Sequence, residues 1–403
     1  MVSSKWCFGS ASPKYAISPD KPDRRKETPS YLSSGSRRVA LDRPRGLHTA
    51  ARLRTRQTSI RKKDVMDDRD YGKYKRSLII VAALVALLEI PGALDISNKP
   101  YDGFSTTRHD TVREIDSGSP AEQAGFQVGD LITSNDGISP QDTEKLRRRP
   151  RAEIGDTRTY IVQRNNESVS LDITFSGLPT KSILQRYVRG IIGLAFLFFC
   201  LRAYLKVQTK STALLSVVGL CMGFLFINHP HIASYELRMV FGVIFPFAIF
   251  GGMSTMLYFM MVFPTPKAVL ERSNALKLLY APAVVIGLMV LCAHFLQPDS
   301  TSGLSKALRL LFPLGIVGYM GCSVIAMAHS YRIASSSEKT SYGLNFMLVG
   351  TVLGLSPFVI TIVVRMIEPM AIFPGGDFYM LTFVLLPLSF SLATVKKEMS
   401  SPL

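Results

Sequence analysis

Charge is scarce in this chain. Asp, Glu, Lys and Arg make up 19% of its 403 residues, against 47% hydrophobic residues, and the mean hydropathy is +0.20. An ordinary water-soluble protein is excluded, because the apolar residues gather in runs of roughly 20, enough to cross the hydrocarbon of a bilayer as a helix. Cysteine is scarce as well. Cys200, Cys221, Cys292 and Cys322 sit inside apolar runs and Cys7 stands alone near the start. That pattern offers no disulfide framework and no CxxC metal pair, so these are read as small packing residues.

Catalytic signatures are missing too. No HExxH pair is present, Gly252-Met253-Ser254 lacks the GxSxG form of a nucleophile turn, and no pair of Asp stands within an apolar run. A zinc, serine or aspartyl intramembrane protease therefore lacks its chemistry, and no enzyme is expected. The histidines are His48, His109, His229, His231, His294 and His329. His229 and His231 flank a proline with no third ligand near in sequence, so no metal and no cofactor are expected.

What is abundant is positive charge, at +17. Residues 1–65 carry 16 Lys/Arg and 5 Asp/Glu, so most of the excess belongs to one segment. The rest flanks apolar runs, where basic residues report orientation in a membrane, and no nucleic-acid partner is expected. Residues 1–70 are rich in Ser, Pro and Arg without hydrophobic periodicity and are expected to be disordered. They read as a basic cytoplasmic tail, a targeting peptide, or an upstream extension of a frame that starts at Met66, the last being favoured.

The first apolar run is 77–94, preceded by Lys73, Lys75 and Arg76. Glu89 and Pro91 follow its short apolar core, and an uncleaved anchor is favoured over a cleaved signal peptide. Further runs lie at 187–205, 212–227, 237–263, 276–296, 308–330, 344–367 and 378–395. With the N-terminus inside, the cytoplasmic segments carry Arg202, Lys206, Lys210, Lys267, Arg272, Arg332, Lys339, Lys396 and Lys397. The short outer loops carry only Lys306. This asymmetry supports both termini in the cytoplasm, with 396–403 as a cytoplasmic tail. Lys181, Arg186 and Arg189 run against it on the outer side, as long translocated segments allow. Arg202, Arg238, Arg365 and Glu368 lie near span ends, where long side chains reach water.

Residues 99–176 read differently. Thr111–Ile115 is a short strand, Ser119-Pro120 caps and opens a helix, and Gly125 closes it. Gly129-Asp130 turns into strand 131–134, and Asn135-Asp136-Gly137 is a tight turn. Ser139 is expected to cap a second helix running to Arg148. Strands 158–164 and 168–175, joined by Asn165-Asn166, close the unit. Its stretch SPAEQAGFQVGDLITSNDG resembles a bacterial-type PDZ domain. That resemblance implies a peptide added as an extra strand beside the second helix, its terminal carboxylate held by backbone N–H groups of a glycine loop. Tyr101, Asp102, Gly103 and Phe104 stand where that loop would be, but Asp102 brings a negative side chain, which favours internal or extended segments over free C-termini. Phe104, Val112, Ile115 and Leu146 are candidate pocket residues, with simple core residues as the alternative. Gly125, Gly129, Asp130 and Gly137 are expected to fix turns.

YFMMVFPTP (258–266), GLNFMLVGTVLGLSPF (343–358) and LLPLSFSLATVKKE (385–398) resemble the seven-helix sensory block of multi-pass bacterial sensor histidine kinases and serine-phosphatase regulators. No phospho-acceptor helix, ATP-binding lobe or phosphatase core follows them here, so the resemblance implies either a separate cytoplasmic kinase or phosphatase or a truncated or degenerate member of the group. The fold expected is a mainly α-helical multi-pass protein of about eight transmembrane helices with an inserted small β-rich α+β domain. The function expected is a sensor in a bacterial inner membrane, its lipid bilayer spanned by 187–395 and its small domain binding a peptide or protein segment outside the cytoplasm. A PDZ-based scaffold for envelope proteins is the alternative.

Overall fold

The computed structural model describes residues 71–400 apart from 108–109, 231, 233, 297–301 and 369–375. The expectations for residues 1–70, for a start at Met66 and for 401–403 lie outside the described residues, as does His231.

A long first helix, α1 (Lys75–Leu94), leads into the small domain. This domain contains β1 (Pro100–Tyr101), β2 (Phe104–Thr106), β3 (Val112–Ile115), the short α2 (Pro120–Gln123) and β4 (Leu131–Asn135). It continues with α3 (Thr143–Arg148), β5 (Thr157–Arg164), β6 (Glu167–Thr174) and β7 (Ser176–Gly177). Strands β4, β5 and β6 form one antiparallel sheet, β2 and β3 a hairpin, and β1 pairs with β7 so that the two ends of the domain lie side by side.

The turn chemistry explains this layout. Ser119 accepts the backbone N–H of Glu122 and Pro120 fills the first helical position. Asp136 and Gly137 both have positive φ, as do Asn165 and Asn166, which suits tight hairpins between twisted strands. The second helix begins later than expected. Its cap is Asp142, whose carboxylate accepts the N–H of Lys145, and Ser139 lies outside it. An acidic cap offers a stronger acceptor than a hydroxyl beside a helix N-terminus. The core gathers Val112, Ala121, Phe126, Ile132, Tyr160, Val162 and Ile173.

The helical block follows: α4 (Thr180–Lys206), α5 (Lys210–Phe226), α6 (Tyr235–Val262), α7 (Ala275–Leu296), α8 (Gly303–Ile333), the short α9 (Ser336–Ser341), α10 (Leu344–Ile367) and α11 (Leu385–Ser400). A 3-10 segment, Gly376–Val384, precedes α11. Neighbouring helices close a ring: α4 packs on α5, α5 on α6, α6 on α7 and α8, α8 on α10, and α11 on both α10 and α4. Helix α1 lies against the outside of α4 and α5.

Among the described residues, seven helices are long and apolar enough to cross a membrane. The eighth expected span corresponds to α5, which has 17 residues. At 1.5 Å per residue it measures roughly 26 Å, short of the roughly 30 Å of hydrocarbon. Close packing compensates. A Cβ on Gly219 would lie 2.4 Å from Cys200 Cβ, so α4 and α5 approach as small residues permit in membrane helices.

Candidate functional site

The loop from Tyr101 to Phe104 is held from three sides. Asp116 N–H donates to the Gly103 carbonyl at 2.8 Å, and Ala121 N–H donates to the Asp102 carbonyl at 2.9 Å. The Tyr101 hydroxyl donates to the Asp116 carboxylate. Burial and this acceptor push the Tyr101 hydroxyl pKa up. Gly103 has φ +85°, and a Cβ there would meet Ser119 Cβ at 2.0 Å, so no other residue fits. Phe104 stacks on Phe126 with ring centroids 5.1 Å apart and meets Tyr160 edge-on at 5.8 Å. This locks the start of β2 to the core.

The backbone N–H groups of Asp102, Gly103 and Phe104 lie in the same loop as the Asp102 carboxyl and favour its charged form. Burial raises the pKa of this carboxyl, and those three N–H groups oppose the rise only in part. Successive N–H groups of this kind form an anion nest.

The other candidates separate. Val112 is fully buried in the core, the alternative left open for it. A bulge explains why both it and Ile115 face inward. Ser105 pairs with Glu114 and Thr106 with Val112, leaving Arg113 as the extra residue, which resets the two-residue alternation. Leu146 on α3 is half-buried and stands apart from the core cluster. Among the described strands, β2 pairs only with β3 and keeps its second edge unpaired. Gly125, Gly129 and Gly137 all carry positive φ. Asp130 does more than shape a turn. It accepts Arg164 Nε at 2.8 Å and Nη2 at 2.7 Å, and also the Gln127 N–H at 2.8 Å. Burial raises its pKa, but these donors outweigh that and hold the carboxyl below 3.8.

A cleft of about 660 Å³ opens beside this loop. Tyr101, Phe104, Arg113 and Asp116 form one side, while Lys181 of α4 and Arg365 of α10 form the other. Asp102, Gly103, Val112, Ile115 and Leu146 do not line it.

The junction of the small domain with the helices holds residues that sequence reasoning passed over. The Arg148 guanidinium, at the end of α3, lies 5.6 Å from the Tyr235 ring centroid at the start of α6. Lys99 Nζ donates to the His229 carbonyl at 3.0 Å. Burial lowers the Lys99 pKa, and Arg186, Arg151 and Arg189 lower it further. The basic residues that broke the charge asymmetry thus crowd against the domain. Glu89 of α1 is buried and accepts both the backbone and side-chain N–H groups of Asn228, the latter at 2.8 Å. Asn228 Nδ2 also donates to the Arg186 carbonyl at 3.0 Å. A Cβ on Gly190 would lie 2.1 Å from Glu89 Oε1. The signal was an acid inside an apolar run, which demands a partner.

Residues 111–173 match the PDZ domain family. This PDZ domain supplies β3 to β6, and the Tyr101–Phe104 loop and β2 precede the matched residues. Among solved structures, the chain is similar to the serine endoprotease from Yersinia pestis, at 25% identity and a TM-score of 0.18. That likeness covers 21% of this chain and 30% of the other. No curated protein matches the chain.

Proposed function

We propose that this is a non-enzymatic sensor of a bacterial inner membrane whose PDZ domain, outside the cytoplasm, binds an extended peptide or protein segment. The helical block relays that binding to a separate cytoplasmic partner, such as a kinase or phosphatase. The observation that carries the binding role is the unpaired edge of β2, since PDZ domains take ligands by strand addition. Asp102 brings a negative side chain to the loop beside it, which disfavours a ligand's own terminal carboxylate there, so internal segments are favoured. Arg148 at the end of α3 contacts Tyr235 at the start of α6, and α3 is the helix beside which the PDZ resemblance puts a ligand, so binding has a route to the block. The charge asymmetry of the loops supports the orientation. A ligand shifts the block only by binding one of its packings better than another.

Peptides selected from a random library on the full chain in detergent test this reading. Free-acid and amidated versions of one peptide are expected to bind equally, and Leu146→Asp is expected to weaken both by about tenfold through loss of an apolar contact. A strong preference for the free acid, or selected peptides indifferent to Leu146→Asp, contradicts it.

A further inference from the structure

A second cleft, of about 620 Å³, lies at the opposite end of the block from the PDZ domain, where α4 ends, α10 begins and α11 passes between them. Its rim carries Arg202, Lys206 and Lys396 and no acidic residue lines it. Its walls are apolar and open. Phe346 is 46% exposed, Leu392 44% and Met399 74%. Lys396 is steadied by donating to the Thr340 carbonyl at 2.8 Å, while Arg202 and Lys206 are exposed at the end of α4.

We infer that this cleft binds an acidic phospholipid, its headgroup between Arg202, Lys206 and Lys396 and its acyl chains along Phe346, Leu392 and Met399. The chemistry is complementary at both ends. An unopposed set of cations suits a phosphate, and exposed apolar side chains directly beside them suit hydrocarbon. A soluble anion would leave those side chains uncovered, and a neutral lipid would leave the cations unmatched. Basic pockets between helices at the inner membrane surface hold acidic headgroups for this reason. The inference rests on the proposal that these helices cross a membrane. It places a lipid against α11, the last described helix before the chain's cytoplasmic end in that reading.

Native mass spectrometry of the full chain, released from neutral detergent, tests it with phosphatidylglycerol and phosphatidylcholine of identical acyl chains. Wild type is expected to retain phosphatidylglycerol with a preference of about tenfold or more, and Arg202→Gln/Lys206→Gln to lose that preference. Both positions are exposed, so the variant is expected to melt as wild type does. Lys145→Gln/Lys181→Gln, with the same change in charge, is expected to keep the preference. Equal retention of both lipids by wild type overturns the inference, as does a preference that survives Arg202→Gln/Lys206→Gln. Displacement of the lipid by an equal concentration of inorganic phosphate overturns it too. Failure of the membrane reading shows separately, as release of the chain from cell membranes by alkaline carbonate without detergent.

Discussion

The PDZ domain and the helical block hide opposite things. In the domain, strand β5 alternates buried Tyr160 and Val162 with exposed neighbours, as a sheet with one face in water must. In the block, Ile80, Leu84, Leu87, Phe198 and Ile325 are all more than half exposed, while the centre buries Met222, Met256, Met260, Met320 and Met327 with Phe250, Phe259 and Phe390. An apolar surface of that kind is stable only in an apolar solvent. What holds such helices together is then close packing and polar pairs, because lipid competes equally well for their apolar faces. The two regions accordingly use buried charge differently. Asp130 and Arg164 tie a turn to a strand within the domain. Glu89 and Asn228 tie a whole helix to the ring.

Breaking that second tie should have the largest effect. Gly190→Leu drives a side chain into Glu89 and Asn228, and leaving a buried carboxylate without its partners costs about 3–5 kcal/mol. Helix α1 should leave its seat. Ala93→Cys and Tyr187→Cys, which bracket the hydrogen bond from the Tyr187 hydroxyl to the Ala93 carbonyl, should be bridged in the parent by a bis-maleimide that spans the length of the lost tyrosine, and fall to background in Gly190→Leu. The PDZ domain's own exchange protection should persist. Loss of that protection as well would mean that the two regions fold as one.

Asp130→Ala is the converse and somewhat smaller. It strands Arg164 and should destabilise the PDZ domain by about 3 kcal/mol, read as faster amide exchange in β5 and β6 with the Ala93–Tyr187 cross-link intact. The same pair sets a pH dependence. The folded pKa of Asp130 is depressed below 3.8, so its contribution is fully present above that value and is lost as the pH falls through the depressed one. Wild type should therefore open at β5–β6 on acidification below about pH 4, and Asp130→Asn should flatten that step. An identical acid step in the variant would assign it to another group.

Much of the PDZ domain was legible because its turns are written in residue types. Ser119-Pro120, Asp136-Gly137 and Asn165-Asn166 each permit few backbone conformations. The bulge at Arg113 was not legible, since nothing in Val112–Ile115 marks an extra residue. The cap at Asp142 was hidden by a nearer Ser. In the block, length and hydropathy located the helices, but not how closely α5 approaches α4, which depends on glycines such as Gly219 meeting residues of the facing helix. Of the candidate site, the Asp102 anomaly was visible as an acid beside Gly103. The left-handed φ of Gly103 that shapes the loop around it is not printed in the sequence. The Arg148–Tyr235 contact joins two regions and left no local trace.

That contact carries the central claim, that an occupied PDZ groove is felt by the helices. Amide exchange of the full chain in detergent, with and without a library-selected peptide, tests it most directly. The peptide should change exchange in β2 and α3 and also in residues 235–245 at the start of α6. Arg148→Ala, which removes a cation–π contact of about 0.5–1 kcal/mol, should abolish the second change and leave the first. A peptide effect confined to residues 100–177 in wild type, or one at α6 that survives Arg148→Ala, would contradict the account.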